Sequence, residues 1–214
     1  MKDCTADVIV SPLSQVQKDL LKKTSMPQMV YDCPSYFDCT IETDRETTPK
    51  IGALLDLLNG KLKSSDSILI YSRYKESQRG IQNALLEAGI SCETMNGETP
   101  IEERNNLISK FKMGDFRVLV TNVQKGLNFG HCNDCIFYSY DPNPNRMVQF
   151  EGRMTRSRDI IGKNVYLLVS RGKELNNFKK VVSDRAKASD LFAGSDFSCV
   201  LSLLLDNDKL DSLK

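Results

Sequence analysis

The sequence predicts an α/β fold in which a parallel β-sheet is covered by helices on both faces. In the central part of the 214-residue chain, short apolar, β-branched runs alternate with segments that have the periodicity of amphipathic helices. Strands alternating with helices of this length imply crossover connections, which make neighbouring strands parallel. A hydrophobic content of 40% and a charged content of 27% are ordinary for a globular protein with one sizeable core.

The series begins with a strand, a helix and a second strand. The run SILIYS at residues 67–72 is short, apolar and β-branched, and it predicts a buried strand. Residues 75–89 follow with apolar side chains at helical spacing, and Gly89 provides a C-terminal stop. The segment SCETM, residues 91–95, has a weaker strand pattern.

The next helix carries signals at both of its ends. Thr99 is a candidate N-cap, Pro100 suits the first helical position, and Glu102 completes a capping box. Gly114 marks the C-terminal end of the helix. The apolar side of this helix is formed by Ile101, Leu107, Ile108 and Phe111.

Three further strands are predicted at residues 117–121, 135–140 and 164–170. Between the last two, the motif DPNPN at residues 141–145 interrupts the chain and caps another helix. The remaining strand signal is DVIVS, residues 7–11, near the start of the chain.

The two ends of the chain are less regular than its centre. We therefore predict an N-terminal arm with one strand over residues 1–45, a main domain over 46–180, and a C-terminal helical extension over 181–214.

Charge and hydropathy narrow the classes of function. The net charge is +1, so no global field draws the chain towards nucleic acid or membrane, and any contact with a polyanion must be local. The start MKDCTADVIVSPL lacks the apolar core of a secretory signal, and no apolar run approaches the length of a membrane span. We expect no membrane partner, and a location in the cytoplasm or, in a eukaryote, the nucleus.

The seven cysteines form no disulfide framework, since their number is odd and their spacing irregular. Reduced thiols suit an intracellular compartment. The motif HCNDC at residues 131–135 contains a C-x-x-C pair, and a zinc site would need two more ligands, for which Cys33 and Cys39 have the wrong spacing. Buried or strand-edge cysteines are the favoured interpretation, and no metal site is predicted.

The segment QFEGRMTR, residues 149–156, concentrates arginines on one side of a predicted helix. At about 100° per residue, apolar side chains fall on one side of this helix and polar ones on the other. The apolar side holds Met147, Phe150 and Met154, and the polar side holds Gln149, Gly152, Arg153 and Arg156. Arg153 and Arg156 carry forked, permanently charged guanidinium groups three residues apart. Gly152 beside them permits close approach, so the pattern is suited to binding a phosphate group. The alternative is a solvated basic helix face.

Four motifs in order resemble one family: ILIYSR, NGETPIEER, VLVTNVQKGLN and YDPNPNRMVQFEGRMTR. Together they are similar to the second RecA-like lobe of superfamily 2 helicases and translocases, nearest to the Swi/Snf-type group of double-stranded DNA translocases and its phage and prophage relatives. The resemblance covers residues 68–170 and implies a RecA-like open sheet. Its strongest element is the spacing of Gln149, Gly152, Arg153 and Arg156.

The resemblance implies a role for each matching residue. Arg153 and Arg156 would be arginine fingers that reach the γ-phosphate of ATP across a cleft between two lobes, and Gln149 would help to position them. Gly126 and Asn128, with Gly152, would face the nucleotide. Contacts with the nucleic-acid backbone are implied for Ser72, Arg73, Asn96, Gly97, Thr121 and Asn122. For Asn96 and Gly97 there is an alternative to nucleic-acid contact. They would form a tight turn, and Arg104 would be a surface charge on the next helix.

This sequence departs from the family pattern in the loop that contains Gly126. Relatives usually carry an acidic residue just before this glycine, where this chain has Lys125, and the loop is one or two residues shorter than in the Swi/Snf pattern. The departures concern the ribose and loop contacts and leave the arginine helix unaffected.

The sequence contains neither a phosphate-cradling G-x-x-x-x-G-K-[ST] motif nor an Asp-Glu pair after an apolar strand. We therefore expect the isolated chain to be inactive and to complete an ATP and Mg²⁺ site held mainly by an N-terminal P-loop lobe, encoded upstream or on a separate chain. The expected nucleic acid is DNA, with RNA not excluded, and the expected oligomeric state is a monomer.

Two other functions fit parts of the pattern. The first is a non-catalytic nucleic-acid or protein-binding module on the same lobe, although such a module would not require intact arginines. The second is a stand-alone nucleotide-binding protein of flavodoxin-like shape, which lacks the support of a glycine-rich phosphate loop.

Overall fold

A computed structural model describes residues 4–123, 128–141, 143, 146–147, 149–150, 153, 162–191 and 212–213. Within them, six parallel strands form one sheet in the order β1-β6-β5-β2-β4-β3. The strands are β1 (Cys4–Ser11), β2 (Ile68–Tyr71), β3 (Cys92–Met95), β4 (Val118–Thr121), β5 (Asp134–Phe137) and β6 (Lys163–Ser170). The predicted parallel, RecA-like architecture is confirmed.

Among the described residues, the first five helices lie between strands and the sixth follows the last strand. They are α1 (Gln15–Leu21), α2 (Pro27–Asp32), α3 (Pro49–Asn59), α4 (Lys75–Glu87), α5 (Ile101–Met113) and α6 (Lys173–Leu191), with a 3-10 turn at Pro34–Tyr36. None of the helices in the described residues is long and apolar enough to cross a membrane.

Helices cover both faces of the sheet, because side chains alternate along each strand. On one face, α3 and α4 pack over alternate residues of β2 and β4. On the other face, aromatic residues from α5, α6 and the arginine segment pack together, including Phe111, Phe150 and Phe178. The inner strands β2, β4 and β5 are buried on both sides, which explains their apolar runs.

The N-terminal strand forms one edge of this sheet. Its eight residues pair with the whole length of β6, from the Cys4–Lys163 pair to the Ser11–Ser170 pair. The predicted strand within residues 7–11 is therefore part of a longer strand of the sheet. The limits of the three predicted regions stay a prediction.

The predicted start of α5 is wrong in detail. Helix α5 begins at Ile101, its N-cap is Pro100, and no side chain caps it. The hydroxyl of Thr99 instead accepts a hydrogen bond from the backbone N–H of Asn96 at 3.0 Å, so Thr99 belongs to the preceding turn. Ile101 is 74% exposed, so it lies outside the apolar side assigned to it. The end of α5 is as predicted, with Gly114 at a left-handed φ of 82°.

Candidate functional site

The carboxyl ends of β2, β3 and β4 lie side by side at one edge of the sheet. Tyr71 and Met95, the last residues of β2 and β3, both pair with Thr121 at the end of β4. The structure therefore brings together the three loop starts that the sequence singled out. Ligands of open α/β sheets bind outside this carboxyl edge.

Ser72 and Thr121 have fully buried side chains. The hydroxyl of Ser72 is hydrogen-bonded to that of Ser77 at 2.8 Å, and the hydroxyl of Thr121 accepts from the backbone N–H of Val123 at 3.0 Å. The backbone N–H of Ser72 donates to the carbonyl of Thr121 at 3.1 Å. These bonds hold the starts of two loops, while the predicted contacts of both residues with nucleic acid stay predictions.

Arg73 and Asn122 are half-buried and linked to each other. The amide nitrogen Nδ2 of Asn122 donates to the carbonyl of Arg73 at 3.2 Å, and the backbone N–H of Arg73 donates to Oγ of Ser139 at 3.3 Å. The guanidinium of Arg73 lies 5.3 Å from the centre of the Tyr74 ring. The loops after β2, β4 and β5 are thus joined through the backbone of Arg73.

Asn96 and Gly97 form a tight turn that Arg104 stabilises. Oδ1 of Asn96 accepts from the backbone N–H of Glu98 at 2.9 Å, which is the hydrogen bond of an Asx turn. Arg104 donates to the carbonyls of Thr99 at 2.7 Å and Gly97 at 2.6 Å. The turn proposed as the alternative is therefore present. Gly97 is exposed, so the turn leaves room for a ligand.

The arginine segment has the predicted two sides where the structure describes it. Arg146, Met147, Gln149, Phe150 and Arg153 are helical, with Met147 and Phe150 buried, Gln149 exposed and Arg153 half-buried. The ring of Phe150 lies 4.8 Å from that of Tyr71 and 5.6 Å from that of Phe137, measured between centroids. Packing on the last residues of β2 and β5 therefore places the segment beside the carboxyl edge.

The loop after β4 contacts the arginine segment. The backbone N–H of Phe129 donates to the carbonyl of Arg153 at 2.9 Å. The neighbouring Asn128 is exposed, and its Oδ1 accepts from the backbone N–H of Gly130 at 3.0 Å. Three predicted site residues, Gly126, Gly152 and Arg156, lie outside the described residues.

A buried charge cluster of Asp32, Lys50 and Glu174 lies under the same edge. All three side chains have no exposed surface, and Nζ of Lys50 lies 2.7 Å from Asp32 and 2.6 Å from Glu174. Lys50 also donates to the carbonyl of Tyr138 at 3.3 Å. Gln28 donates to Asp32 at 3.2 Å and to Glu174 at 2.7 Å, so hydrogen bonds further stabilise the two carboxylates.

The environment of the cluster shifts its pKa values. Burial alone would lower the pKa of Lys50, but the charges of Asp32 and Glu174 raise it above its ordinary value of 10.5. Burial raises the pKa of Glu174, although Lys50 opposes this effect. No pattern in the sequence indicated this cluster. Asp32 stands in a locally acidic stretch, but Lys50 and Glu174 are 124 residues apart and carry no local signature.

The cysteines of the HCNDC motif are buried, as the favoured interpretation requires. Cys132 and Cys135 have no exposed surface, and burial raises the pKa of the Cys132 thiol to about 12. Among the described residues, no group of three histidines, cysteines, aspartates or glutamates lies close enough to hold a metal ion.

The helicase conserved C-terminal domain model matches residues 49–158, just over half of the chain. ATP-dependent DNA helicase MPH1 of Pyricularia oryzae is 32% identical over 168 residues, which cover 70% of this chain and 15% of that protein. The chain spans 8–17% of the length of the curated relatives it is compared with.

Solved structures share the fold. The Sulfolobus solfataricus SWI2/SNF2 ATPase core in complex with dsDNA has a TM-score of 0.69 at 18% identity, covering 97% of this chain and 49% of that chain. The C-terminal domain of a SWI2/SNF2 ATPase from the same organism has a TM-score of 0.64 at 16% identity, covering 97% of this chain and 96% of that chain.

Proposed function

Because the chain belongs to the helicase conserved C-terminal domain family, we propose that it is the second motor lobe of an ATP-dependent superfamily 2 DNA helicase or translocase. In this proposal a separate P-loop lobe binds ATP and Mg²⁺, and this lobe supplies Arg153 and Arg156 across the cleft. The observation that carries the proposal is the position of the arginine segment. Phe150 packs it on Tyr71 and Phe137, beside loops that begin with polar residues.

The arginines would act by electrostatics. Their guanidinium groups donate to the γ-phosphate held on the partner lobe and stabilise the charge that develops during phosphoryl transfer. Gln149, exposed on the same helix, would orient them. Arginine fingers raise the turnover number by a factor of roughly 10³ to 10⁵. The sequence has no P-loop motif, so the isolated chain is proposed to hydrolyse no ATP.

The carboxyl-edge loops would contact the backbone of nucleic acid. Arg73, Asn96 and Asn122 are only partly buried and follow three adjacent strands, so together they offer one charged and two amide side chains to phosphates. DNA is proposed because relatives such as MPH1 are DNA helicases by name and one solved neighbour contains dsDNA. Because such contacts are made to phosphates, we expect DNA binding to show no sequence preference and its affinity to fall as the salt concentration rises.

The test is nucleic-acid-stimulated ATPase of this chain fused to its candidate P-loop lobe. The fusion should hydrolyse ATP in the presence of duplex DNA, and the chain alone should not. Arg153→Ala and Arg156→Ala should each lower stimulated kcat by about 10³. Arg79→Ala, which removes an exposed arginine on α4, is the control and should retain wild-type turnover.

The same experiment decides between this function and a non-catalytic binding module. A binding module would bind DNA in the fusion without stimulated turnover, and both finger variants would behave like wild type. Unchanged kcat in both finger variants of an active fusion would refute the finger assignment.

A further inference from the structure

The buried charge cluster has no part in the proposed chemistry, yet it joins four segments of the chain. Asp32 ends α2, Lys50 lies in the first turn of α3, and Glu174 lies in the first turn of α6. The fourth segment is the loop after β5, whose Tyr138 carbonyl accepts from Lys50. The cluster therefore fixes the N-terminal arm, the start of the main domain and α6 on a loop of the carboxyl edge.

One hydroxyl connects this cluster to Arg73. Oγ of the fully buried Ser139 donates to Oδ2 of Asp32 at 2.8 Å and accepts from the backbone N–H of Arg73 at 3.3 Å. The other oxygen of Asp32 accepts from Lys50 at 2.7 Å. Because its single proton is directed to the carboxylate, the Ser139 hydroxyl presents its lone pairs to Arg73.

The hydrogen bonds also define the geometry of the cluster closely. Each oxygen of Glu174 has a donor, Lys50 on one and the backbone N–H of Ser170 at 2.6 Å on the other. Any displacement of these segments would leave a buried carboxylate oxygen without its donor, which is costly, so the hydrogen bonds restrict the cluster to this arrangement. A loop that must present a side chain to a ligand benefits from this restriction.

We propose that Ser139 and the buried charge cluster are a positioning device for Arg73. They fix the backbone from which the Arg73 side chain extends to the nucleic-acid phosphate. The role of Arg73 in this statement rests on the proposed function. The side chains of Ser139 and of the cluster are fully buried and leave no surface for a ligand, so Ser139 is a positioning residue.

The structural part of the proposal is tested by amide hydrogen exchange of this chain, followed residue by residue by NMR. Ser139→Ala should accelerate exchange of the Arg73 amide about fivefold, the effect of losing one ordinary hydrogen bond. The Tyr138 amide, which donates to Tyr71 at 2.9 Å, should be unchanged. Ser77→Ala is the matched control, because it removes a buried hydroxyl bonded to Ser72 and leaves the Arg73 amide bonded.

Ser139→Cys carries the same test if Ser139→Ala does not fold, since a thiol leaves no cavity in place of the hydroxyl and bonds only weakly. Unchanged exchange of the Arg73 amide in the folded variant overturns the proposal, as does equal acceleration by Ser77→Ala. The exchange measurement does not depend on ATP hydrolysis, so it tests the structural part of the proposal even if the proposed function is wrong.

The functional part uses the active fusion with the P-loop lobe. Ser139→Ala should raise the DNA concentration for half-maximal stimulation by roughly threefold to tenfold, with kcat at saturating DNA within about twofold of wild type. Arg73→Ala should raise the same DNA concentration. The double variant Arg73→Ala, Ser139→Ala should need no more DNA for half-maximal stimulation than Arg73→Ala alone. Additive effects, or a fall in kcat without a change in half-saturation, overturn the positioning role. Absence of stimulated turnover in the wild-type fusion contradicts the proposed function instead.

Discussion

Replacing Lys50 with methionine removes the only cation of the buried charge cluster while keeping most of its hydrocarbon volume. Asp32 and Glu174 are then two carboxylates with no exposed surface and no ammonium between them. Removing one partner of a buried ion pair costs about 3–5 kcal/mol in the free energy of unfolding. We expect the lower end of this range, because Gln28 and Ser139 still donate to the carboxylates.

Protonation also limits this cost. Burial already raises the pKa of Glu174, and loss of Lys50 removes the charge that opposes this rise. In Lys50→Met, Glu174 therefore binds a proton more readily in the folded than in the unfolded chain. This contribution to stability is present below the unfolded pKa and is lost as the pH rises, so the deficit of the variant should shrink on going from pH 7 towards pH 5.

The assay is urea unfolding followed by circular dichroism, with Lys61→Met as the control. Lys61 is also paired with an aspartate, Asp7 at 2.5 Å, but its side chain is 57% exposed. An exposed pair contributes about 0–1 kcal/mol. With m near 1–3 kcal/mol/M, Lys50→Met should lower the urea midpoint by about 1 M or more, and Lys61→Met by much less. Equal shifts in the two variants would refute the assignment of Lys50 as a buried anchor.

Two further outcomes follow from the aromatic face of the sheet. The single histidine, His131, should titrate below its ordinary value of 6.5, because burial and then the charges of Lys112 and Lys163 lower its pKa. The folded chain binds this proton less readily than the unfolded chain, so the contribution of His131 to the free energy of unfolding is present above pH 6.5 and is lost as the pH falls through the folded pKa. A pKa of His131 at or above 6.5, measured by NMR, would contradict this expectation. Phe150→Ala should lower the free energy of unfolding by about 3–5 kcal/mol in the same urea assay, since its ring is fully buried between Tyr71 and Phe137. A loss below about 1 kcal/mol would mean that the arginine segment is not anchored by this ring.

The strands were predictable because their signal is local. β2, β4 and β5 are buried on all sides, so each appears in the sequence as a short apolar run between polar segments. The two sides of the arginine segment were predictable for the same reason, since helical spacing alone separates Phe150 from Gln149.

What sequence reasoning missed depends on partners elsewhere in the chain or on competition for one atom. Thr99 has the sequence position of an N-cap, but its hydroxyl accepts a hydrogen bond from the backbone N–H of Asn96 and does not cap the helix. Lys50 has the pattern of an ordinary charge in the first turn of a helix, and only the fold brings Glu174 within 2.6 Å of it. Likewise, the burial of Ser72 follows from packing against Ser77 on α4.

The central claim is that arginines of this lobe reach a phosphate held on another lobe, and binding of a transition-state analogue tests it most directly. The lobe fusion would be titrated with ADP alone and with ADP and aluminium fluoride, in the presence of Mg²⁺ and duplex DNA. Wild type should bind the fluoride complex far more tightly than ADP. Arg153→Ala and Arg156→Ala should lose most of that gain while retaining the affinity for ADP. Undiminished binding of the fluoride complex by both variants would contradict the account.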